Sequence, residues 1–229
     1  MTLRLGSTAP GKLLSCWLLW VYDFEAKTTK GDIKFHDFIG DKWAILFSHP
    51  ADFTPVCTTE LGLVAALQDE FDKRGVKVIG LSANDLDSHE KWINDINEIN
   101  SVDLQFPIIA DADRKVSELY DMLDHQDATN IDAKGVPFTV RSVFIVDPKK
   151  TIRLILTYPA STGRNFDEIL RVIDSLQLGD KHRITTPGNW KKGDDVIVHP
   201  SVSTEEAQKL FPKGVKVVRP YLRLTPSPF

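Results

Sequence analysis

A strand and the helix that follows it decide the fold, and they occupy residues 43–62, WAILFSHPADFTPVCTTELG. Residues 43–48 are almost all apolar and do not alternate with polar residues, which predicts a strand buried on both faces. Thr54 is a favourable N-cap and Pro55 suits the first helical position, so a helix is predicted to begin here. Cys57 therefore falls in the first turn of this helix.

Strands and helices alternate outward from this stretch. A short strand is predicted at 33–35, and the helix that begins at Thr54 is predicted to end at Gly75. The later predictions are strand 76–82, helix 87–100, strand 106–110, helix 113–123, strands 139–146 and 151–158 around the turn DPKK, and helix 166–178. This order predicts an α/β domain with a thioredoxin-like fold, in which helices flank a central mixed sheet.

The composition changes after this domain, which predicts three segments. Residues 1–22 form an N-terminal segment with an apparent insertion, residues 23–179 the thioredoxin-like domain, and residues 180–229 a small C-terminal domain. The last segment contains short predicted elements and a capping-box pattern, Ser203 with Glu206. With about fifty residues it is expected to pack on the main domain or on a second subunit.

Charge and cysteine content exclude several classes of protein. The net charge of -4 and the absence of a basic run argue against a nucleic-acid partner. The two cysteines, Cys16 and Cys57, are too few for a disulfide framework or a four-cysteine zinc site. The sequence also lacks the closely spaced ligand pairs of a mixed cysteine and histidine zinc site. We therefore expect a reducing compartment, no metal and no stable membrane insertion.

The position of Cys57 indicates a reactive thiol. Unpaired backbone N–H groups and the positive end of the helix dipole favour a thiolate in the first turn. The dipole contributes only about 0.3 to 1 kcal/mol, so a cationic partner such as arginine is expected as well. A fast thiol enzyme also needs donors for the leaving group, and Thr54 could supply a hydroxyl while Pro50 and Pro55 shield the sulfur.

These residues carry a family resemblance. The pattern Pro50-x-x-x-Thr54-x-x-Cys57 resembles the peroxidatic motif of the peroxiredoxins. RSVF at 141–144, YPASTGRNFDEILRV at 158–172 and the long tail resemble the one-cysteine, peroxiredoxin-6-like subfamily. The resemblance implies a thiol-specific peroxidase that reduces hydrogen peroxide and organic hydroperoxides, including lipid ones. A cysteine sulfenic acid would form and be recycled by an external thiol such as glutathione or thioredoxin, with no cofactor.

The resemblance also implies roles for single residues. Cys57 matches the nucleophile, Thr54 the hydroxyl partner, Pro50 the shielding proline and Arg141 the guanidinium that binds the peroxide. Supporting residues match too, namely Glu60 as the residue that orients the arginine, Arg164 as a second arginine and His49 as the histidine beside the pocket.

Each of these residues also has a plainer structural interpretation. Cys57 could be a small buried hydrophobic residue, and Arg141 and Arg164 could be ordinary ion-paired residues. The motif favours the functional interpretation for these three. Two residues stay open: Glu60 is either a solvated residue on the helix surface or the residue that orients the arginine, and His49 is either an ordinary hydrogen-bonded histidine or a catalytic one. The other histidines show no ligand spacing and are interpreted as structural or surface residues: His36, His89, His125, His182 and His199.

Two other functions compete with the peroxidase hypothesis. A disulfide oxidoreductase needs a Cys-x-x-Cys pair, but Thr54 and Glu60 stand three residues before and after Cys57. A chaperone or redox-sensing module would have a Cys57 that oxidises no faster than free cysteine.

The sequence departs from the family in two places. No cysteine follows Cys57, and Cys16 lies in the apparently inserted stretch 11–22, so Cys16 is not expected to resolve the sulfenic acid. Some members of the subfamily hydrolyse phospholipids with a serine in a Gly-Asp-Ser-Trp-Gly segment. Lys42 stands at that position here and has no hydroxyl, which argues against this second activity even though His36 matches a family histidine.

Assembly and location are further expectations. The resemblance implies a homodimer joined through the strand near 151–158, with the C-terminal segment reaching over the partner. An apolar edge strand of this kind would aggregate unless paired. The N-terminal segment resembles a secretion signal only weakly. The lack of a convincing signal favours a cytoplasmic location, with the mitochondrion as the alternative.

Overall fold

The computed structural model describes residues 23–228, and the described chain divides after Arg164 into two compact units. The predicted N-terminal segment 1–22, with Cys16 and the inserted stretch 11–22, lies outside the described residues.

The first unit is built on one mixed sheet. Its strands are β1 (Glu25–Thr28), β2 (Gly31–Lys34), β3 (Trp43–Ser48), β4 (Val76–Ser82), β5 (Ile108–Ala110), β6 (Arg141–Val146) and β7 (Ile152–Tyr158). Within the described residues the sheet order is β2-β1-β5-β4-β3-β6-β7. Strands β3, β4 and β5 run parallel, whereas β6 and β7 are antiparallel additions on one side and β1 and β2 on the other. The predicted thioredoxin-like fold with a mixed sheet is confirmed.

The helices of the first unit are α1 (Phe35–Ile39), α2 (Pro55–Ala66), α3 (Gln68–Lys73), α4 (Leu86–Asn100) and α5 (Lys115–Leu119). A core forms where apolar residues of the strands meet those of α1 and α5, and it includes Phe35, Leu46, Ile79, Tyr120 and Phe144. All residues of β3 and β4 are buried except the partly buried Trp43 and Lys77, which explains the largely apolar sequences of these strands, since central parallel strands are covered on both faces.

The structure corrects the predicted start of the domain. Residues 33–35 were predicted as a strand, but β2 ends at Lys34 and Phe35 begins α1. Strand β1 was not predicted, because its sequence EAKT carries no apolar run. It pairs with β2 as a hairpin, and the sheet supplies the burial that its own sequence does not indicate.

Two predicted helices are shorter than expected. The helix 54–75 is divided at Leu67, whose backbone angles of -92° and 6° leave the helical region, so that α2 and α3 are separate. The helix 113–123 is reduced to α5. Its start is set by Asp111, whose carboxylate accepts hydrogen bonds from the backbone N–H groups of Val116 and Ser117 at 3.0 and 2.7 Å.

The second unit has a small sheet and core of its own. It comprises α6 (Phe166–His182), β8 (Ile184–Thr185), β9 (Val196–Val198), α7 (Thr204–Leu210), β10 (Lys216–Arg219) and β11 (Leu222–Thr225), with the described sheet order β10-β11-β9-β8. Trp190, Val198 and Phe211 are buried in its core. The predicted domain boundary at 179 stays a prediction, although α6 belongs to the second unit by its contacts.

The capping box predicted for α7 is formed only in part. The Ser203 hydroxyl accepts a hydrogen bond from the Glu206 N–H at 3.1 Å, as expected. The Glu206 carboxylate instead accepts from Arg183 at 2.6 Å. None of the helices within residues 23–228 is both long and apolar enough to cross a bilayer.

Candidate active site

Cys57 is the third residue of α2 and is fully buried. Thr54 precedes the helix in an extended conformation, and Pro55 occupies the first helical position, so the predicted start of the helix is confirmed. Pro50 is buried in the loop between β3 and α2. The loop and the helix start therefore place the thiol inside the protein and not on its surface.

The Thr54 side chain does not cap the helix. Its hydroxyl donates to the carbonyl oxygen of Ala51 at 2.9 Å, which corrects the expectation of a side-chain cap. The hydroxyl of Thr58 donates to the Thr54 carbonyl at 2.8 Å and ties the loop to the first turn. The two hydroxyls thus stabilise the loop ahead of Cys57.

Arg141, at the start of β6, reaches the cysteine directly. Its Nη1 lies 3.3 Å from the Cys57 Sγ and also donates to Glu60 Oε2 at 2.7 Å. Its Nε and Nη2 both donate to the carbonyl oxygen of Ala160, at 2.9 and 2.7 Å. The guanidinium is held from two sides with its charge against the sulfur.

Arg164 lies behind this pair and binds the same carboxylate. Its backbone N–H, Nε and Nη2 donate to Glu60 at 2.7, 3.0 and 2.8 Å. Its Nη1 donates to the carbonyl oxygens of Ser48 and Ser142 at 2.8 and 3.1 Å, which joins β3 and β6. The guanidinium also lies 5.1 Å from the centroid of the Phe47 ring. Glu60 therefore connects both arginines, and its surface interpretation is wrong because the residue is buried.

These contacts set the charge of the carboxylate. Burial raises the pKa of Glu60, but the charge and hydrogen bonds of Arg164, with the charge of Arg141, bring it below its usual value. Burial lowers the pKa of Arg164 while Glu60 opposes this change. An ionised carboxylate between two guanidiniums leaves one positive charge to face the sulfur of Cys57.

His49 lies in a second buried group that the sequence did not predict. Its Nε2 lies 2.9 Å from Asp52 Oδ1, and Asp52 Oδ2 lies 2.7 Å from Nδ1 of His89. Asp52 could have been suspected as a polar residue three positions after His49 in the same loop. His89 had no signal in the sequence, because α4 brings it to the loop from 37 residues away.

This group is also the one place among the described residues where three ligand atoms lie close enough for a metal ion, within 4.8 Å of one another. The histidine nitrogens and carboxylate oxygens already form hydrogen bonds with each other at 2.7 and 2.9 Å. The atoms that face one another are therefore already paired in a hydrogen-bonded network, and metal chemistry is not needed to explain it, although Nδ1 of His49 has no hydrogen-bond partner among residues 23–228.

Fold and site together define the class of the protein. The fold is thioredoxin-like and holds a buried cysteine in a first helical turn. A guanidinium lies at the sulfur, and no second cysteine completes a Cys-x-x-Cys pair. This combination is that of a thiol-dependent peroxidase.

Comparisons with known proteins give the family. Residues 21–155 match the AhpC/TSA family, and residues 175–214 match the C-terminal domain of 1-Cys peroxiredoxin. The mitochondrial peroxiredoxin PRX1 of Saccharomyces cerevisiae is 54% identical over 98% of this chain and 81% of its own length. Human peroxiredoxin-6 is 53% identical over 90% of this chain and 95% of its own length.

Solved structures agree with this assignment. A cysteine-to-serine variant of peroxiredoxin 6 from Arenicola marina superimposes with a TM-score of 0.89 at 45% identity, covering 99% of each chain. The yeast mitochondrial 1-Cys peroxiredoxin, solved in a study of thiol resolution through the glutathione and thioredoxin systems, superimposes with a TM-score of 0.85 at 51% identity, covering 99% of this chain and all of the other. The chain belongs to the peroxiredoxins, in their one-cysteine branch, and it is a thiol-dependent peroxidase.

Proposed function

We propose that Cys57 is the peroxidatic nucleophile, and that it reduces hydrogen peroxide and organic hydroperoxides, including lipid ones. The observation that carries this proposal is the 3.3 Å contact between Arg141 Nη1 and the Cys57 Sγ in a buried first helical turn. A positive charge at this distance attracts a thiolate and later the oxygen that leaves.

The proposed reaction balances as a two-electron transfer. The Cys57 thiolate attacks one oxygen of the hydroperoxide, a sulfur–oxygen bond forms and the oxygen–oxygen bond breaks. The sulfur is oxidised to a sulfenic acid. The departing group is an alkoxide, or hydroxide when the substrate is hydrogen peroxide, and it takes up a proton to leave as an alcohol or as water. Two equivalents of an external thiol then reduce the sulfenic acid through a mixed disulfide.

Each neighbouring residue has a proposed part in this step. Arg141 stabilises the departing oxygen, and Thr54 contributes its hydroxyl after turning from the Ala51 carbonyl. Pro50 shields the sulfur from water, and Glu60 with Arg164 holds Arg141 in place, as their hydrogen bonds of 2.7 to 3.0 Å support. Because Cys57 is buried, local unwinding of the first turn of α2 would expose the sulfenic acid to the reductant.

Stopped-flow oxidation of the reduced protein by hydrogen peroxide tests the proposal, with free cysteine beside it. Oxidation should be much faster than for free cysteine, and Cys57→Ser should remove it. Arg141→Lys keeps the charge but not the two-sided contacts, and it should slow oxidation by about 100-fold.

Arg74→Lys is the matched control, since Arg74 follows α3 and is paired with Glu70 at 2.7 Å, and its rate should stay at the wild-type value. Rapid peroxide consumption by Cys57→Ser would contradict the proposal.

The reductant is proposed to be glutathione or thioredoxin, which the study of the yeast relative supports. Turnover should be measured with each thiol and its own NADPH-dependent reductase. We propose that Cys16 takes no part, so Cys16→Ser should leave turnover unchanged with either thiol. Loss of turnover in this variant would make Cys16 a resolving cysteine.

We also propose that the protein is a homodimer and that it resides in the cytoplasm, with the mitochondrion as the alternative. Strand β7 is an edge of the described sheet and most of its residues are only partly buried, which supports pairing with a second copy. The mitochondrial yeast relative supports the alternative location. Cell fractionation with markers for both compartments would decide between the two locations.

A further inference from the structure

A surface cavity lies within the second unit, where α6, α7 and β11 end. It has a volume of about 380 Å³, and its lining residues fall in the ranges 181–183, 210–213 and 225–228. All of them belong to the second unit. Sites for small molecules usually have volumes of roughly 300–1,000 Å³, so this cavity is large enough for a small organic ligand.

Hydrogen bonds tie the walls of the cavity to one another. Nζ of Lys213 donates to the carbonyl oxygen of Ser227 at 3.0 Å, and the hydroxyl of Thr225 donates to the carbonyl oxygen of Gly214 at 2.8 Å. Nη1 of Arg183 donates to a carboxylate of α7 at 2.6 Å and joins the end of α6 to that helix. The cavity is therefore formed in advance, which lowers the entropic cost of binding a ligand.

The apolar part of the lining is largely rigid. It consists of Leu210, Phe211, Pro212, Pro226 and Pro228. Three of these residues are prolines, whose rings fix the backbone and so hold their own positions. Leu210 is 46% exposed, and an alkyl chain placed against it would remove apolar surface from water. The cavity therefore suits a ligand with an alkyl chain.

The remaining side chains of the lining are mainly basic. Lys181, His182, Arg183 and Lys213 line the cavity, and none of the described lining residues is an aspartate or a glutamate. Arg183 is paired with a carboxylate of α7 at 2.6 Å, which offsets one of these charges. The lining as a whole is therefore cationic.

The neighbouring sequence adds to this positive charge. The protein has a net charge of -4, yet residues 207–229 contain no acidic residue and five basic ones: Lys209, Lys213, Lys216, Arg219 and Arg223. The dipole of α6 accounts for Lys181 and His182, which lie in its last turn. It does not account for Lys213, which lies beyond the end of α7. A local excess of positive charge of this kind attracts anions.

We propose that this cavity binds the anion of a fatty acid, with the alkyl chain against the apolar residues and the carboxylate next to the basic ones. An apolar lining alone would accept a neutral lipid, and a basic lining alone would accept an inorganic anion, whereas the combination favours an amphipathic anion. Binding of a fatty acid needs no thiol, so the inference goes beyond the proposed peroxidase function. A fatty-acid hydroperoxide carries the same two parts and would bind in the same way.

Isothermal titration calorimetry of the intact, reduced protein with sodium octanoate tests the proposal. One octanoate should bind per chain. The alcohol 1-octanol has the same alkyl chain but no charge, and it should bind about tenfold more weakly, as the loss of a charge-assisted hydrogen bond implies. Raising the salt concentration from about 0.05 M to about 0.5 M should weaken the binding of octanoate but not that of 1-octanol. No binding of octanoate, or equal binding of the two ligands, would overturn the proposal.

Leu210→Glu tests the location of the site. It places a negative charge in the lining at a residue that is 46% exposed, so the core should stay intact. Octanoate binding should weaken about tenfold, because like charges repel.

The matched control is Ile99→Glu, a similar change at a residue of α4 in the first unit that is 68% exposed, and it should bind octanoate like the wild type. Unchanged binding in Leu210→Glu, or an equal loss in the control, would contradict a site in this cavity.

Lys181→Glu tests the charge, also in case Leu210→Glu does not fold. It changes an exposed residue and leaves the apolar lining intact, so octanoate binding should weaken about tenfold while 1-octanol binding stays at the wild-type value. Lys30→Glu, the same change at an exposed residue between β1 and β2, should alter neither. Unchanged octanoate binding in Lys181→Glu, or an equal loss of both ligands, would refute the fatty-acid site. Cys57→Ser should bind octanoate like the wild type, which keeps this test independent of the proposed role of Cys57.

Discussion

Glu60 is a single buried carboxylate that serves two arginines. It accepts hydrogen bonds from Arg141 and Arg164, and its side chain is only 4% exposed. Glu60→Gln keeps the shape but leaves two guanidiniums beside each other without a counter-charge. We expect it to destabilise the protein by about 3 kcal/mol and to slow oxidation of Cys57, because breaking a buried pair leaves an uncompensated charge.

The same residue makes stability depend on pH. Burial raises the pKa of Glu60 but its arginine partners lower it below the ordinary 4.5, so folding favours the ionised form. The stabilisation is complete above that value and is lost as pH falls through the lowered pKa of the folded state. Urea denaturation should show this acid loss in the wild type and less of it in Glu60→Gln. Glu98→Gln, which changes an exposed carboxylate of α4, should keep the wild-type profile.

Cys57 should also be vulnerable to overoxidation. With no cysteine after it in the sequence, its sulfenic acid waits for an external thiol, and a second peroxide can oxidise it further. Excess peroxide without reductant should add two or three oxygen atoms at Cys57 and none at Cys16, as seen by peptide mass spectrometry. A Cys16 to Cys57 disulfide as the main product would show a two-cysteine mechanism instead.

At the scale of elements, the helix that carries Cys57 is packed closely against α4. A Cβ added at Gly62 of α2 would lie 2.1 Å from Cγ of Asn100 at the end of α4. The Asn100 amide donates to the carbonyl oxygens of Thr58 and Ile96 at 3.3 and 2.9 Å. Gly62 therefore permits the contact that fixes the start of α2 relative to α4.

The effect of Gly62→Ala on stability should change sign when Asn100 is replaced by alanine. In the wild type it should destabilise the protein by about 1 kcal/mol, because the displaced Asn100 amide loses two hydrogen bonds and this cost outweighs the gain in helix propensity. In an Asn100→Ala background the clash is absent, and Gly62→Ala should stabilise the protein by about 1 kcal/mol. Thermal unfolding of the four variants measures both values. The same sign in both backgrounds would mean that Asn100 is not the obstacle.

At the scale of the whole molecule, β7 decides the proposed assembly. Its residues Leu154, Ile155 and Leu156 are partly buried in the single chain, and Ile155 packs on the core of the first unit. Leu154→Lys places a charge on this edge and should lower the mass measured by light scattering at micromolar concentration from dimer to monomer.

Ile99→Lys is the matched control, because Ile99 is 68% exposed on α4, and its mass should stay that of a dimer. A wild-type mass of one chain would contradict the proposed dimer.

Much of the molecule follows from the sequence alone. The largely apolar sequences of β3 and β4 indicate burial on both faces, and Thr54 with Pro55 marks the start of α2 and so the place of Cys57. These features are local, since a strand in the middle of a sheet and the first turn of a helix are set by neighbouring residues. The motif around the cysteine therefore indicated the class of enzyme before any contact was known.

Other features were decided only by the tertiary structure. The sequence of β1 does not indicate a strand, and the sheet alone gives it a partner. The sequence alone did not decide whether Glu60 is a surface residue or orients the arginine. The structure shows that it is buried and bonded to two arginines, 81 and 104 positions away. His89 reaches Asp52 across 37 positions, and its other ring nitrogen lies 3.1 Å from a carbonyl oxygen of β5. Burial and long-range hydrogen bonds set the charge of such groups, and neither has a period or a spacing in the sequence.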